Sequence, residues 1–174
     1  MRVRILTMVG ALWLSTMFMS SAGGFLGNAH AQEGPLALNM TGHLVVMEMV
    51  DGEATPRLDP LPEEVMPDDV VQYDITGKNV SGQVLRRVAA GGKIPGGTAY
   101  IEGSARCDAP AEIQFSIDNG QSFAEPPLKV EVELADGTKI KRTVPTDRYT
   151  DIRFRVMELG AGETFVGSYG VMVR

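Results

Sequence analysis

The chain has 174 residues, one cysteine, and 22 acidic residues against 16 basic ones. One cysteine excludes an internal disulfide, so the fold must be held together by its core. The formal charge of −6 disfavours nucleic acid and anionic lipid as partners, because their phosphates repel an acidic surface.

Residues 1–31 have the three parts of a secretory signal peptide. Arg2 and Arg4 form a basic start, residues 5–19 are mostly apolar, and Ala29-His30-Ala31 supplies the small-residue cleavage site. The alternative is an uncleaved anchor, but the apolar stretch is shorter than the ~20 residues that a spanning helix needs. We therefore predict cleavage after Ala31 and export to the periplasm or the cell surface. The mature chain should not insert in a membrane.

Residues 32–37 are predicted to be a short lead-in, and residues 38–174 a single domain. The leader holds two basic residues and no acidic one, so the mature chain has 14 basic and 22 acidic residues and a formal charge of −8. Residues 38–50 are rich in β-formers and predict the first strand. Residues 51–69 hold four prolines among acidic residues and predict an extended loop or a semi-rigid connector in polyproline conformation. Its role would be either a crossover between sheets, which we prefer, or a binding surface.

The rest of the chain alternates short apolar runs with turn residues. Asp136-Gly137 predicts the turn of a hairpin over residues 128–144, in which Glu131 and Glu133 face basic residues. Turns are also predicted at 79–82 and 118–120. Further strands are predicted over 70–76, 84–90, 100–105, 112–117, 151–157 and 165–173. No sustained helical period is present, so the sequence predicts an all-β, antiparallel β-sandwich.

Strand alternation also predicts which side chains form the core. The expected inward residues are Tyr73, Ile75, Phe115, Ile152 and Phe154.

Tyr149 lies between a proline-containing crossover and the strand predicted from residue 151. In such a corner a tyrosine often buries its ring and hydrogen-bonds its hydroxyl to the backbone. The alternative is an exposed Tyr149 that stacks on a ligand with Arg148 beside it.

Five sequence pieces in this order resemble the bacterial cell-surface "conserved repeat" domain, a family of unknown function. They are Pro67-Asp68-Asp69, Val71-Gln72-Tyr73-Asp74-Ile75, Asn79, Ile94-Pro95-Gly96-Gly97-Thr98-Ala99-Tyr100 and Gly103-Ser104-Ala105. The resemblance implies an immunoglobulin-like β-sandwich in a bacterial envelope protein. Family domains often occur in tandem, whereas this chain has one copy. The resemblance implies no catalytic residue.

The small number of histidine and cysteine residues limits the catalytic and metal-binding sites that the chain can form. After the leader, His43 is the only histidine and Cys107 the only cysteine. A Ser-His-Asp triad would have to use His43, which has no nucleophile motif near it. A zinc or copper site needs several such ligands. Cys107 is predicted to be a buried small hydrophobe rather than a reactive or interchain thiol.

Carboxylates are abundant in the chain, and the candidates for chemistry are Glu63, Glu64, Asp68, Asp69, Asp118, Asp147 and Asp151. Calcium could bind near Asp68 and Asp69, but no D-x-[DN]-x-[DN]-G loop is present, so solvated charge is the preferred interpretation. The sequons at Asn39 and Asn79 matter only in a eukaryotic secretory pathway. We expect no catalytic, cofactor-binding or metal-binding residue.

Two functional hypotheses from different classes remain. The first is a non-catalytic envelope protein that acts as a structural or interaction module and meets another envelope or cell-surface component through loops or a sheet edge. The second is an envelope carbohydrate-binding domain or a carboxylate-based hydrolase. Two carboxylates converging in a deep pocket would favour the second hypothesis.

Overall fold

The computed structural model describes Val3–Arg4 and residues 34–174. These residues form an all-β fold with antiparallel sheets, as the sequence predicts. The predicted signal peptide and its cleavage site lie outside the described residues, apart from Val3–Arg4. The described strands are β1 (Val3–Arg4), β2 (Leu36–Val50), β3 (Glu53–Pro60), β4 (Glu64–Val65), β5 (Val70–Asn79), β6 (Leu85–Lys93), β7 (Thr98–Tyr100), β8 (Arg106–Cys107), β9 (Ala111–Ser116), β10 (Lys129–Glu133), β11 (Lys139–Thr143), β12 (Asp151–Leu159) and β13 (Thr164–Val173).

The strands form two main sheets. The larger has the order β3-β2-β5-β13-β7, with β8 also paired to β13, and the smaller has the order β6-β12-β9. Two further pairs, β10-β11 and β1-β4, lie outside both sheets. A short 3-10 helix at Thr146–Arg148 leads into β12.

The core lies between the two main sheets. Phe154 of β12 lies against Gly167 of β13, where an added Cβ would come within 2.7 Å of the ring. In the larger sheet, the rings of Tyr73 and Tyr169 stack at a centroid distance of 5.5 Å. Inward side chains of both sheets therefore share one apolar core.

The predicted inward residues are confirmed. Each of the five is at most 6 % exposed, so the alternation assigned the correct face of three strands. These residues are Tyr73, Ile75, Phe115, Ile152 and Phe154.

The extended loop predicted over residues 51–69 is wrong, because β3 and β4 lie within it. β3 pairs with β2 over eight residue pairs around a two-residue turn, Asp51-Gly52. Both turn residues have positive φ, 52° and 86°, which suits a hairpin whose turn follows the strand twist. Pro56 and Pro60 fit here because β3 is an edge strand, where a missing backbone donor is tolerated.

The strand predicted over residues 100–105 is also wrong. β7 ends at Tyr100, and β8 begins only at Arg106. A turn separates them, closed by a hydrogen bond from the Ser104 N–H to the Ile101 carbonyl at 3.1 Å. Gly103 has a φ of +77°, which interrupts an extended strand.

The other strand predictions hold within three residues at either end. β2 begins at Leu36 rather than Leu38, inside the lead-in predicted over residues 32–37. The hairpin predicted over residues 128–144 is confirmed as β10 and β11. Its predicted charge pairing is confirmed as well, since Lys139 Nζ lies 3.0 Å from Glu131 Oε1.

Asn79 ties the end of β5 to the end of β12. Its side-chain amide donates hydrogen bonds to the carbonyls of Gln83, Leu159 and Gly160 at 2.8–3.0 Å. Its side-chain oxygen accepts from the Ser81 N–H at 2.9 Å. Asn79 is 0 % exposed, so its sequon is closed to a sugar in the folded protein.

Candidate functional site

β2 and β3 extend past the rest of the larger sheet as a two-stranded ribbon. β2 pairs with β5 only as far as Val45, whereas it pairs with β3 as far as Val50. Among the described strands, residues 46–50 therefore pair with residues 53–57 alone. The ribbon is defined here as residues 45–58, with the Val45–Leu58 pair at its base beside the start of β5.

One face of this ribbon is apolar. The register places Val45 opposite Leu58, Met47 opposite Pro56, and Met49 opposite Ala54. Residues directly opposite each other project to the same face of an antiparallel pair. This surface is termed the apolar strip, and it consists of Val45, Met47, Met49, Ala54, Pro56 and Leu58.

Three large side chains of the apolar strip are open to solvent. Met49 is 69 % exposed, Met47 61 % and Leu58 44 %. Contiguous exposed apolar surface marks interaction sites in soluble domains, because leaving it in water forgoes ~25 cal/mol per Å². Methionine side chains are flexible and polarisable, so they can adapt to the shape of a partner.

The opposite face of the ribbon carries its charged side chains beside Val46 and Val50, and it is termed the polar face. Arg57 Nε lies 2.9 Å from Asp59 Oδ1, and Arg57 Nη1 lies 3.3 Å from Glu48 Oε2. The hydrogen bond with Asp59, followed by the charges of Asp59 and Glu48, raises the pKa of Arg57. The ribbon is therefore amphipathic, with its ion pairs on one face and its methionines on the other.

The apolar strip continues onto the larger sheet. Val70 of β5 pairs with Val45, and Met172 of β13 pairs with Val70, so the three residues form a row across one face. Val70 is half-buried and Met172 is 38 % exposed. The surface available to a partner thus reaches from the ribbon to β13.

The edge of the ribbon is less suited to strand addition than its face. β3 lies at the edge of the larger sheet, and it contains Pro56 and Pro60. A proline in a strand ladder occupies a position whose N–H would point away from the neighbouring strand. Two outward donors are thereby missing from this edge, as in sheets protected against edge pairing. Contact through the face is the better supported mode.

His43 and Cys107 are not brought together with other reactive side chains. His43 is half-buried, and its Nε2 lies 3.6 Å from Asp74 Oδ2. Cys107 is half-buried rather than fully buried and packs at the rim of the core. Burial raises the pKa of the Cys107 thiol, which lowers its thiolate fraction at neutral pH.

The candidate carboxylates are spread over the molecule, and several have structural partners. Asp69 Oδ2 accepts a hydrogen bond from the Met66 N–H at 2.7 Å. Asp147 pairs with Arg174 at 2.8 Å, and the largely buried Asp151 pairs with Lys93 at 2.9 Å. Within the described part of the chain, no group of three or more His, Cys, Asp or Glu side chains could hold a metal ion.

Asp118 organises the loop after β9. Ser116 Oγ donates to Asp118 Oδ1 at 2.6 Å, and the Ser122 N–H donates to the same oxygen at 2.9 Å. Hydrogen bonds from Ser116 and then Ser122 lower the pKa of Asp118 to about 2. The Asp118 carboxylate therefore accepts hydrogen bonds that stabilise the turn predicted at residues 118–120.

A cleft lies beside the aromatic part of the core. This cleft has a volume of about 290 Å³ and reaches the rings of Tyr100, Phe115 and Tyr149. Tyr100 and Tyr149 stack at 5.9 Å, and each of the three rings is at most 5 % exposed. Glu102 is the one carboxylate among the described residues that line the cleft.

The corner predicted at Tyr149 is confirmed. Tyr149 is 4 % exposed, and its hydroxyl accepts a hydrogen bond from the Leu128 N–H at 3.1 Å. The exposed, ligand-stacking alternative does not match this burial. Tyr149 therefore joins the crossover before β12 to the start of β10.

Tyr149→Phe should lower the free energy of unfolding by about 1–2 kcal/mol, because the buried Leu128 N–H would lose its acceptor. Urea denaturation measures this change. Tyr73→Phe is the matched control, since the buried Tyr73 hydroxyl has no hydrogen-bond partner among the described residues. Equal losses in the two variants would contradict the assigned role of the Tyr149 hydroxyl.

Two features of the sequence indicate the hairpin that carries the apolar strip, although a loop was predicted after residue 50. Residues 45–49 alternate Val, Met and Met with other residues, and Asp51-Gly52 is a dipeptide typical of two-residue hairpin turns. The prolines that follow this dipeptide favoured the prediction of a loop. Proline excludes a central strand, but it is tolerated in an edge strand such as β3.

Comparison of the chain with protein-family models, curated proteins and solved structures finds no match in any of the three. No helix in the described residues is long and apolar enough to cross a membrane.

Proposed function

We propose that this chain is an exported, non-catalytic module of the bacterial cell envelope that binds a protein partner through the apolar strip. The observation that carries the proposal is the solvent exposure of Met47, Met49 and Leu58 on one face of a projecting ribbon. A face-directed contact of this kind would bury the methionines and leave the ion pairs of Arg57 in water.

The compartment and the finer fold are parts of the same proposal. The leader over residues 1–31 and the resemblance to the cell-surface "conserved repeat" domain support export to a bacterial envelope. Two antiparallel sheets that share one core support an immunoglobulin-like β-sandwich. Such scaffolds commonly present binding surfaces on loops and hairpins.

A pair of neighbouring substitutions tests the binding surface. Met49→Lys places a charge in the apolar strip, whereas Val50→Lys places the same charge on the polar face of the ribbon. With the exported chain as bait in intact envelope, Met49→Lys should reduce capture of the partner about tenfold, as expected for the loss of ~1.4 kcal/mol. Val50→Lys should reduce capture about twofold at most, because its charge lies outside the apolar strip. Both variants should keep the thermal unfolding midpoint of the parent, because both positions are exposed.

Equal capture by the parent and Met49→Lys would contradict the proposal. Equal losses in both variants would also contradict it, because the apolar strip would then not be distinguished from the rest of the ribbon.

The proposed export leads to a separate prediction about the N-terminus of the protein. The exported protein should begin at Gln32, because Ala31 ends the small-residue cleavage site. N-terminal sequencing of the protein recovered from the envelope measures this directly. Recovery of a chain that begins at Met1 in the membrane fraction would show that the leader is an anchor.

A further inference from the structure

The negative charge of the chain is concentrated in the segment that contains most of the ribbon. Residues 46–70 contain eight acidic residues and one basic residue, Arg57, so their formal charge is −7. The chain from Gln32 onward carries −8, which leaves −1 for all its other residues. The apolar strip is therefore built largely from the most acidic segment of the chain.

We infer that the partner of the apolar strip is cationic, a protein segment that presents apolar side chains flanked by Lys or Arg. This inference rests on the proposed function, because it names the chemistry of the partner at the same surface. Apolar contact with Met47 and Met49 supplies affinity, and the surrounding carboxylates select the sign of the partner's charge. Asp51 lies in the exposed turn two residues after Met49, and Glu53 pairs with Val50 on the opposite face of the ribbon. These carboxylates therefore act on an approaching cation through their charge at a distance of a few ångströms and do not line the apolar strip.

Other occupants fit the same surface less well. A second copy of the chain would bring a segment of charge −7 against another of −7, and like charges placed together at an interface are costly. Anionic lipid would be repelled for the same reason. A basic partner gains attraction at long range and apolar burial on contact.

Two synthetic peptides test the inference with defined probes. Both have twelve residues and alternate Val with a charged residue, Lys in one and Glu in the other. Fluorescence anisotropy with the exported chain should show binding of the Lys peptide and not of the Glu peptide at low salt. The affinity for the Lys peptide should fall at least fivefold as salt rises from about 0.05 M to 0.5 M, because the screening length shortens to a few ångströms.

Two matched charge variants test whether the carboxylates at the ribbon tip attract the Lys peptide. Asp51→Asn with Glu53→Gln removes two carboxylates at the ribbon tip, and Asn keeps the positive φ that the turn requires. Glu125→Gln with Glu133→Gln removes two exposed carboxylates elsewhere. The first variant should bind the Lys peptide about fivefold more weakly at low salt, and the second less than twofold more weakly. Met49→Lys should abolish binding.

The outcomes separate the inference from the proposed function. Reduced envelope capture by Met49→Lys shows that the strip is a binding surface. If the Lys peptide nevertheless fails to bind, the inference of a cationic partner is overturned. It is also overturned if the two charge variants bind the Lys peptide equally well. Dimerisation that Met49→Lys removes, or binding to phosphatidylglycerol vesicles, would overturn it as well. If Met49→Lys changes neither peptide binding nor envelope capture, the proposed function fails too.

Discussion

Phe154→Ala is expected to lower the free energy of unfolding by about 3–5 kcal/mol, because it opens a cavity that the surrounding strands cannot close. Phe154 is 0 % exposed and lies in β12, the central strand of the smaller sheet. β12 pairs with β6 and β9 on its two sides, and the ring lies against Gly167 of the opposite sheet. A loss of this size is a large share of the stability of a small domain.

Urea denaturation followed by circular dichroism measures the change. Met157→Ala is the control, since Met157 lies in the same strand and is 43 % exposed. It should cost less than about 1 kcal/mol, in line with surface substitutions generally. A loss under about 1 kcal/mol for Phe154→Ala would contradict the position of this ring in the core.

Asn79→Asp is expected to lower the free energy of unfolding by about 3 kcal/mol or more at pH 7, because it buries a carboxylate of which one oxygen keeps the Ser81 donors while the other faces carbonyl oxygens. The substitution keeps the shape of the side chain but removes the amide that donates to the carbonyls of Gln83, Leu159 and Gly160. A carboxylate among three carbonyl oxygens is disfavoured relative to its protonated form.

The effect of Asn79→Asp should depend on pH. The folded state would bind a proton at this side chain more tightly than the unfolded state, so the loss should be smaller at pH 4 than at pH 7. Asn119→Asp is the control, because Asn119 is exposed in the loop after β9. It should change stability by no more than about 0.5 kcal/mol. Equal stability of the parent and Asn79→Asp at pH 7 would contradict the hydrogen-bond assignment.

Asn79 also shows which features of the fold could not be predicted from the sequence. The residue was predicted only to begin a turn, from the composition of residues 79–82. Its contact with β12 spans about eighty positions in the chain. A single sequence carries no local sign of such a partner, so the buried hydrogen bonds became visible only in the folded chain.

Local patterns in the sequence were sufficient for the strands and their inner faces. Alternation with a period of two is set by backbone geometry, so Tyr73, Phe115 and Phe154 could be assigned to the core without knowing which strands pair. The Asp136-Gly137 hairpin was predictable for the same reason, because its two strands are neighbours in the chain. The all-β class follows from these local properties.

Tertiary structure decided where the exposed apolar surface lies. Alternation of Val45, Met47 and Met49 does not say which face of β2 meets the smaller sheet. Val45 shares its face with Val70, whereas the core residue Val71 lies on the other face of the sheet. β5 starts at Val70 opposite Val45, so β2 continues past it with only β3 beside it among the described strands. Burial is a property of long-range pairing, whereas alternation is a property of neighbouring residues. The sequence by itself determined a strand over residues 38–50, and the tertiary structure left Met47 and Met49 on a face that is open to solvent.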